Sequence, residues 1–74
     1  MRKTKTKRRF EFVQGNSRKF WEVELVGNAV NVRFGRLGTT GQAETRTFAD
    51  AVTAEKHAEK KVAEKLRKGY SEIA

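Results

Sequence analysis

The chain contains no cysteine and no proline. Without cysteine it can form neither a disulfide nor a thiolate zinc site, so its 74 residues must fold by packing and hydrogen bonding alone. No apolar run approaches the ~20 residues that cross a bilayer, and no apolar segment of a signal peptide follows the basic N-terminus. We therefore expect one small domain in the cytoplasm or at the nucleoid, without a membrane partner.

Catalytic groups are also scarce. His57 is the only histidine, and no cysteine or second histidine is available to share a metal ion or a proton with it. The carboxylates of the C-terminal segment alternate with lysines, which is typical of ion pairs on a helix surface. We predict that the protein is not an enzyme, that it has neither a cofactor nor a metal site, and that His57 is a solvated surface residue.

Acidic residues are few compared with basic ones. Nine Asp and Glu stand against 17 Lys and Arg, which gives a formal net charge of +8. Six of the basic side chains lie within residues 1–9, where there is no acidic residue, so residues 10–74 are only mildly basic. Positive charge favours polyanionic partners, above all nucleic acid, because bound Lys and Arg release counterions from phosphates.

The N-terminal segment has no apolar side chain between Met1 and Phe10. We predict that residues 1–8 form a disordered basic arm and that residues 9–74 form a single domain. The alternative is a terminus that only aids solubility. The candidate phosphate-binding side chains at this end are Lys7, Arg8 and Arg9.

Apolar and polar side chains alternate over several segments, which predicts β-strands. Strands are expected at 9–14, 17–26 and 29–36, with a fourth, polar strand at 43–48. A two-residue loop at Gly27-Asn28 sets the register of the central hairpin. The expected cross-strand pairs are Trp21 with Phe34, Val23 with Val32, Leu25 with Val30 and, on the opposite face, Glu22 with Arg33.

The apolar spacing becomes helical after Asp50, a good N-cap residue. Gly69 suits the position just after the helix. The expected buried stripe consists of Ala51, Ala54, Ala58, Val62 and Leu66. The predicted fold is α+β: a twisted antiparallel sheet of about four strands with one long C-terminal helix packed on one face.

Three glycines recur between Phe34 and Gln42. A phosphate-binding glycine loop opens a helix, whereas here a strand is expected to follow. The pattern therefore favours a tight loop over a nucleotide site.

Several segments of the chain together resemble a WGR domain, over roughly residues 9–72. The most specific feature is the Gly-Arg-hydrophobic-Gly run after a hairpin strand, followed later by Lys-Gly-Tyr. The Trp-Gly-Arg that names the family stands here as Phe34-Gly35-Arg36. The matching segments are FWEVEL (20–25), FGRLGTTGQ (34–42), TRTF (45–48) and AEKLRKGY (63–70).

WGR domains occur in poly(ADP-ribose) polymerases and in bacterial proteins that include molybdate-metabolism-regulator-like ones. In the polymerases the domain binds DNA near a strand end and relays that event to the catalytic region. The resemblance, which looks like the short bacterial type, implies a nucleic-acid-binding module with DNA rather than RNA as the expected partner. It also implies that Phe34 is a platform for a sugar or base and that Arg36 contacts a phosphate or base. Aromatic faces stack on bases and guanidinium groups fit phosphate oxygens.

Two assignments stay open. Strict alternation places Phe34 on the same face as Trp21, where it would be a packing residue if the helix covers it. Arg33, Arg36 and Arg46 would form a basic stripe on the sheet, unless Glu22 neutralises Arg33.

A second function also stays open. Because the folded body is only mildly basic, the chain is alternatively a protein–protein or interdomain module within a larger bacterial regulatory protein.

Overall fold

Five antiparallel strands and one helix form the fold in this computed structural model, which describes residues 7–73. The strand order in the sheet is β4-β3-β2-β1-β5, so the helix connects one edge of the sheet to the other. The elements are β1 (Lys7–Gln14), β2 (Ser17–Val26), β3 (Ala29–Arg36), β4 (Gln42–Thr47), α1 (Ala51–Arg67) and β5 (Ser71–Ile73).

The central hairpin has the predicted register. Strands β2 and β3 begin and end at the expected residues, and the short turn between them fixes which side chains face each other. The confirmed pairs are Trp21 with Phe34, Val23 with Val32, Leu25 with Val30 and Glu22 with Arg33.

The sheet has five strands, not about four. The extra strand, β5, pairs with β1, and Glu72 lies opposite Phe10. Strand β1 also begins two residues earlier than predicted, so Lys7 and Arg8 belong to the sheet and not to a disordered arm. The rest of the predicted arm, residues 1–6, lies outside the described residues.

The helix begins and ends where its capping residues predict. Asp50 Oδ1 accepts a hydrogen bond from the backbone N–H of Thr53 at 2.8 Å. This bond lowers the pKa of Asp50, because it favours the ionised carboxylate. At the other end Lys68 is the C-cap, and Gly69 follows with φ of +105°, a conformation that favours glycine.

The core joins the sheet and the helix. The rings of Phe10 and Trp21 lie 5.7 Å apart at its centre. Of the predicted helix stripe, Ala54 and Val62 are buried, whereas Leu66 is 48% exposed, so the buried stripe is narrower than predicted. The buried cluster consists of Phe10, Trp21, Val23, Val30, Ala54 and Val62.

Candidate nucleic-acid interface

The alternation of side chains along β2 and β3 divides the sheet residues into two sets. Residues that pair across the strands point to the same side. We call one side the Trp21 face, which includes Phe34 and Arg36, and the other the Glu22 face, which includes Arg33. The candidate site residues are therefore distributed over both faces.

Phe34 lies at the edge of the core on the Trp21 face. It is half-buried and packs against the core cluster. It also lines a groove of about 300 Å³ between the sheet and α1, so part of its surface remains accessible to a ligand. The basic side chains along this groove are Arg46, His57, Lys61, Lys65 and Lys68.

Arg36 ends β3 on the same face and is exposed. Its carbonyl oxygen accepts hydrogen bonds from the backbone N–H of Thr39 at 3.1 Å and from Thr39 Oγ1 at 2.8 Å. Within residues 7–73 its guanidinium group forms no ion pair with a carboxylate. The backbone of Arg36 is thus fixed while its charge faces solvent.

Two glycines let the loop after Arg36 fold back on the sheet. Gly41 has φ of +77°, and a Cβ there would lie 2.8 Å from Cζ of Phe20 and would also collide with the carbonyl oxygen of Phe34. A Cβ on Gly35 would lie 2.8 Å from Cα of Gly41. Because β4 follows the loop instead of a helix, the segment is a tight loop, as expected, and not a helix-opening phosphate loop.

Arg46 extends the basic character of the groove along β4. Its side chain is exposed, and Cζ lies 5.8 Å above the ring of Phe48. His57, predicted to be a solvated surface residue, is half-buried, with its ring centroid 4.8 Å from that of Phe48. Burial and the neighbouring positive charges, Arg46 first among them, lower the pKa of His57.

Arg33 is on the Glu22 face and does not form a stripe with Arg36 and Arg46. It donates hydrogen bonds of 3.1 and 3.0 Å to Glu22 Oε1, and Arg9 donates one of 2.6 Å to Oε2. Both guanidinium groups lie over the ring of the buried Phe20, at 5.5 and 4.7 Å. The expected Glu22–Arg33 ion pair is confirmed, and the basic stripe through Arg33 is wrong because strand alternation sends its side chain to the other face.

The carboxylate of Glu22 lies at the centre of this network. The Glu22 side chain is only 9% exposed. Burial by itself would raise the pKa of Glu22, but the hydrogen bonds from Arg9 and Arg33 outweigh it, and the pKa is lowered. Lys7 Nζ lies 3.7 Å from Oε1 as a third cation.

Arg8 forms an ion pair with a different carboxylate, that of Glu72. Its Nε and Nη2 donate hydrogen bonds of 2.8 and 2.7 Å to the two oxygens of Glu72, which ties β5 to β1. This contact raises the pKa of Arg8. Lys7, Arg8 and Arg9, the predicted contacts at the N-terminal end, therefore each face a carboxylate within the sheet.

The sequence interpretation missed a group of lysines near Phe34. Lys61 and Lys65 of α1 and the C-cap Lys68 are spaced by four and three residues, which places them on one side of the helix. Lys19 joins them because it lies opposite Arg36 in the β2–β3 register. The helical spacing was visible in the sequence, but the intervening glutamates suggested ordinary surface ion pairs.

Other kinds of site find no support within residues 7–73. No three His, Asp or Glu side chains of this part of the chain are close enough to hold a metal ion. No helix of the described part is long and apolar enough to span a membrane.

Comparison with known proteins identifies the family. The WGR domain profile matches residues 6–74. The chain belongs to the WGR domain family. This WGR domain is 42% identical over 67 residues to protein YehF of Escherichia coli (strain K12), covering 90% of the chain and 24% of YehF. It is 35% identical over 66 residues to the uncharacterized protein YfeS of the same organism, covering 89% of the chain and 27% of YfeS.

A solved structure has the same fold. The crystal structure of a Bacteroides fragilis protein superposes on the WGR domain with a TM-score of 0.90 at 46% identity, covering 92% of this chain and 19% of that one. The WGR domain thus spans about a quarter of the length of YehF and YfeS and about a fifth of the Bacteroides fragilis chain.

Proposed function

We propose that this WGR domain binds nucleic acid, DNA in preference to RNA, through the Trp21 face. The observation that carries the proposal is the placement of Phe34, Arg36 and Arg46 on one face beside an open groove. A partly accessible ring offers a stacking surface for a sugar or base, and arginine forks suit phosphate oxygens. The family match supports nucleic-acid binding in general.

The Glu22 face is expected to contribute less to phosphate binding. Arg9 and Arg33 already donate hydrogen bonds to Glu22, and Lys7 is near the same carboxylate. A phosphate would have to compete with this buried charge before it could contact either guanidinium group. We therefore assign these side chains, and Arg8 with its partner Glu72, mainly to holding the sheet together.

The basic residues at the N-terminal end supply attraction without sequence preference. Residues 1–6 contain three Lys and Arg and no acidic residue. Such a segment adds counterion release to whatever the folded face contributes. We further propose that the protein acts in the cytoplasm as a binding module and not as an enzyme.

Chemical-shift mapping tests this proposal. The ¹⁵N-labelled full chain is titrated at about 150 mM salt with a DNA duplex, a single strand and an RNA duplex of the same sequence. Saturable shifts at Phe34, Arg36 and Arg46, larger for DNA than for RNA, support the proposal. Shifts centred on Arg9 and Arg33, or none at this salt concentration, contradict it.

A second candidate function is docking on a neighbouring domain or a protein partner. It is favoured by the greater length of the relatives and by a separate groove of about 150 Å³ beside α1. Four of its seven lining residues are apolar, Val23, Leu25, Ala58 and Val62, and Val52 on the helix is 59% exposed. Shifts confined to α1 on addition of the remainder of the parent protein would support this function.

A further inference from the structure

A second basic depression lies next to the proposed interface, at the C-terminal end of α1. It has a volume of about 330 Å³. Three of its five lining side chains are lysines and the other two are aromatic: Lys19, Lys65, Lys68, Phe12 and Tyr70. The five come from β1, β2, the end of α1 and the residue before β5, so only the folded chain brings them together.

Aromatic rings hold two of the ammonium groups in place. Lys65 Nζ lies 5.2 Å from the ring centroid of Tyr70 and 5.5 Å from that of Trp21. Lys19 Nζ lies 5.3 Å from the ring centroid of Phe12. Cation–π contacts orient an ammonium group without neutralising it. The charges therefore remain available to an anion.

The three lysines form no ion pair within the described residues, although Glu64 lies near enough to Lys65 to oppose the lowering of its pKa. Among the ion pairs of the described part of the chain, none involves Lys19, Lys65 or Lys68, whereas Lys61 has Glu64 at 3.6 Å. Burial, and then the charge of the neighbouring lysines, lowers the pKa of Lys65. An anion bound among these groups would relieve their repulsion.

We infer that Lys19, Lys65 and Lys68 form a phosphate-binding site, and that it holds a backbone phosphodiester next to the nucleotide that Phe34 and Arg36 contact. Three ammonium groups around one depression suit an oxyanion, for which lysine acts as a point charge. The site is continuous with the proposed interface because Lys19 lies directly opposite Arg36 in the sheet. The assignment to nucleic acid rests on the proposed function, whereas phosphate binding itself does not.

Two double variants with the same net charge distinguish specific phosphate binding at this cluster from nonspecific attraction to a basic protein. Lys19→Gln with Lys68→Gln removes two of the three ammonium groups, and both positions are exposed. Lys56→Gln with Lys60→Gln removes the same charge from exposed helix positions that line neither basic groove. Equal melting temperatures would show that both variants keep the fold.

The first experiment uses inorganic pyrophosphate and the ¹⁵N-labelled full chain. We expect saturable shifts at Lys65, Lys68 and Tyr70, with an apparent Kd raised at least about fivefold in the Lys19/Lys68 variant and unchanged in the Lys56/Lys60 variant. Equal weakening in both variants, or no saturable shift in the unmodified chain, would overturn the site.

The second experiment measures DNA duplex affinity as a function of salt. We expect the Lys19/Lys68 variant to bind about tenfold more weakly, with a salt slope smaller by roughly 1–2 because one or two phosphate contacts are lost, while the Lys56/Lys60 variant changes less than about twofold. Equal DNA affinity in the two variants would overturn the assignment to a phosphodiester. If the unmodified chain binds pyrophosphate at the cluster but no nucleic acid, the proposed function fails and the phosphate site stands.

Discussion

Glu22 is the most constrained charged side chain in the described part of the chain. Its carboxylate is nearly buried and accepts hydrogen bonds from Arg9 and Arg33, whose guanidinium groups cover Phe20. Removing one member of such a network leaves the others without a partner in a poorly solvated place. The residue therefore matters for stability even though it lies on a strand surface.

We expect Glu22→Gln to destabilise the domain by about 1–3 kcal/mol, because two arginines lose a charged hydrogen-bond acceptor. Urea unfolding followed by circular dichroism measures this change. Glu24→Gln is the control, since Glu24 lies one pair away in the same strand and has no ion pair within residues 7–73. Equal stability losses in the two variants would show that the network contributes nothing particular.

The lowered pKa of Glu22 makes the stability of the domain depend on pH. The folded-state pKa of Glu22 is lowered, so the unfolded chain binds a proton more readily than the folded one. The stabilisation is then fully present above the ordinary glutamate pKa of about 4.3 and is lost as the pH falls through the lower folded value. Unfolding free energy measured from pH 7 to pH 2 should fall less in Glu22→Gln than in the unmodified chain. An identical fall would count against this assignment.

The conformation of the loop between β3 and β4 depends on its glycines. It places Gly41 against the backbone carbonyl of Phe34 and the ring of Phe20, at the end of the sheet where Arg36 lies. Gly38 also has a positive φ, of +89°, but a Cβ there would meet nothing within 4 Å. Both glycines therefore need a positive φ, but only at Gly38 is there room for a side chain.

We therefore expect alanine substitutions at Gly38 and Gly41 to differ in their effect on stability. Gly38→Ala should cost roughly 1 kcal/mol through its backbone conformation alone, whereas Gly41→Ala should cost about 2–4 kcal/mol because overpacking adds to the strain. Thermal unfolding of both variants measures the difference. If Gly41→Ala is no more destabilising than Gly38→Ala, the close approach of this loop to the sheet is not required for the fold.

Local patterns in the sequence were sufficient to predict most of the strands and the helix. Alternation and turn residues predicted β2 and β3 with their register, and the N-cap Asp50 with Gly69 after the helix predicted the ends of α1. The strand β5 was missed because three residues carry no usable alternation and pair only with distant β1. The start of β1 was missed because Lys7 and Arg8 are charged, and their carboxylate partners are far away in the sequence.

At the scale of the whole molecule, the fold divides the basic side chains into those that form ion pairs with carboxylates and those that do not. Arg8, Arg9 and Arg33 are matched with carboxylates, whereas within residues 7–73 Arg36, Arg46, Lys65 and Lys68 form no ion pair. The sequence predicted a basic stripe of Arg33, Arg36 and Arg46, but Arg33 lies on the other face, and the lysines near the end of α1 were overlooked. Both errors have one physical cause: ion pairing depends on which face and which partner the fold provides.

The N-terminal residues allow a test of how much binding is nonspecific. Removing residues 1–6 leaves β1 intact from Lys7 and deletes three basic side chains. We expect weaker DNA binding with a salt slope smaller by roughly 1–3, while the residues that shift on binding stay the same. Fluorescence anisotropy at several salt concentrations measures this. Complete loss of binding would mean that the folded face does not bind nucleic acid.

The central claim is that the Trp21 face binds nucleic acid, and two exposed arginines at the same end of the sheet test it most directly. Arg36 lies on that face, and Arg18 lies on the Glu22 face opposite Val13. By anisotropy with a labelled DNA duplex at about 150 mM salt, we expect Arg36→Ala to weaken binding about five- to tenfold and to reduce the salt slope by about 1. Arg18→Ala should change the affinity less than about twofold. Equal losses in the two variants, or a larger loss for Arg18→Ala, would contradict the assignment of the interface.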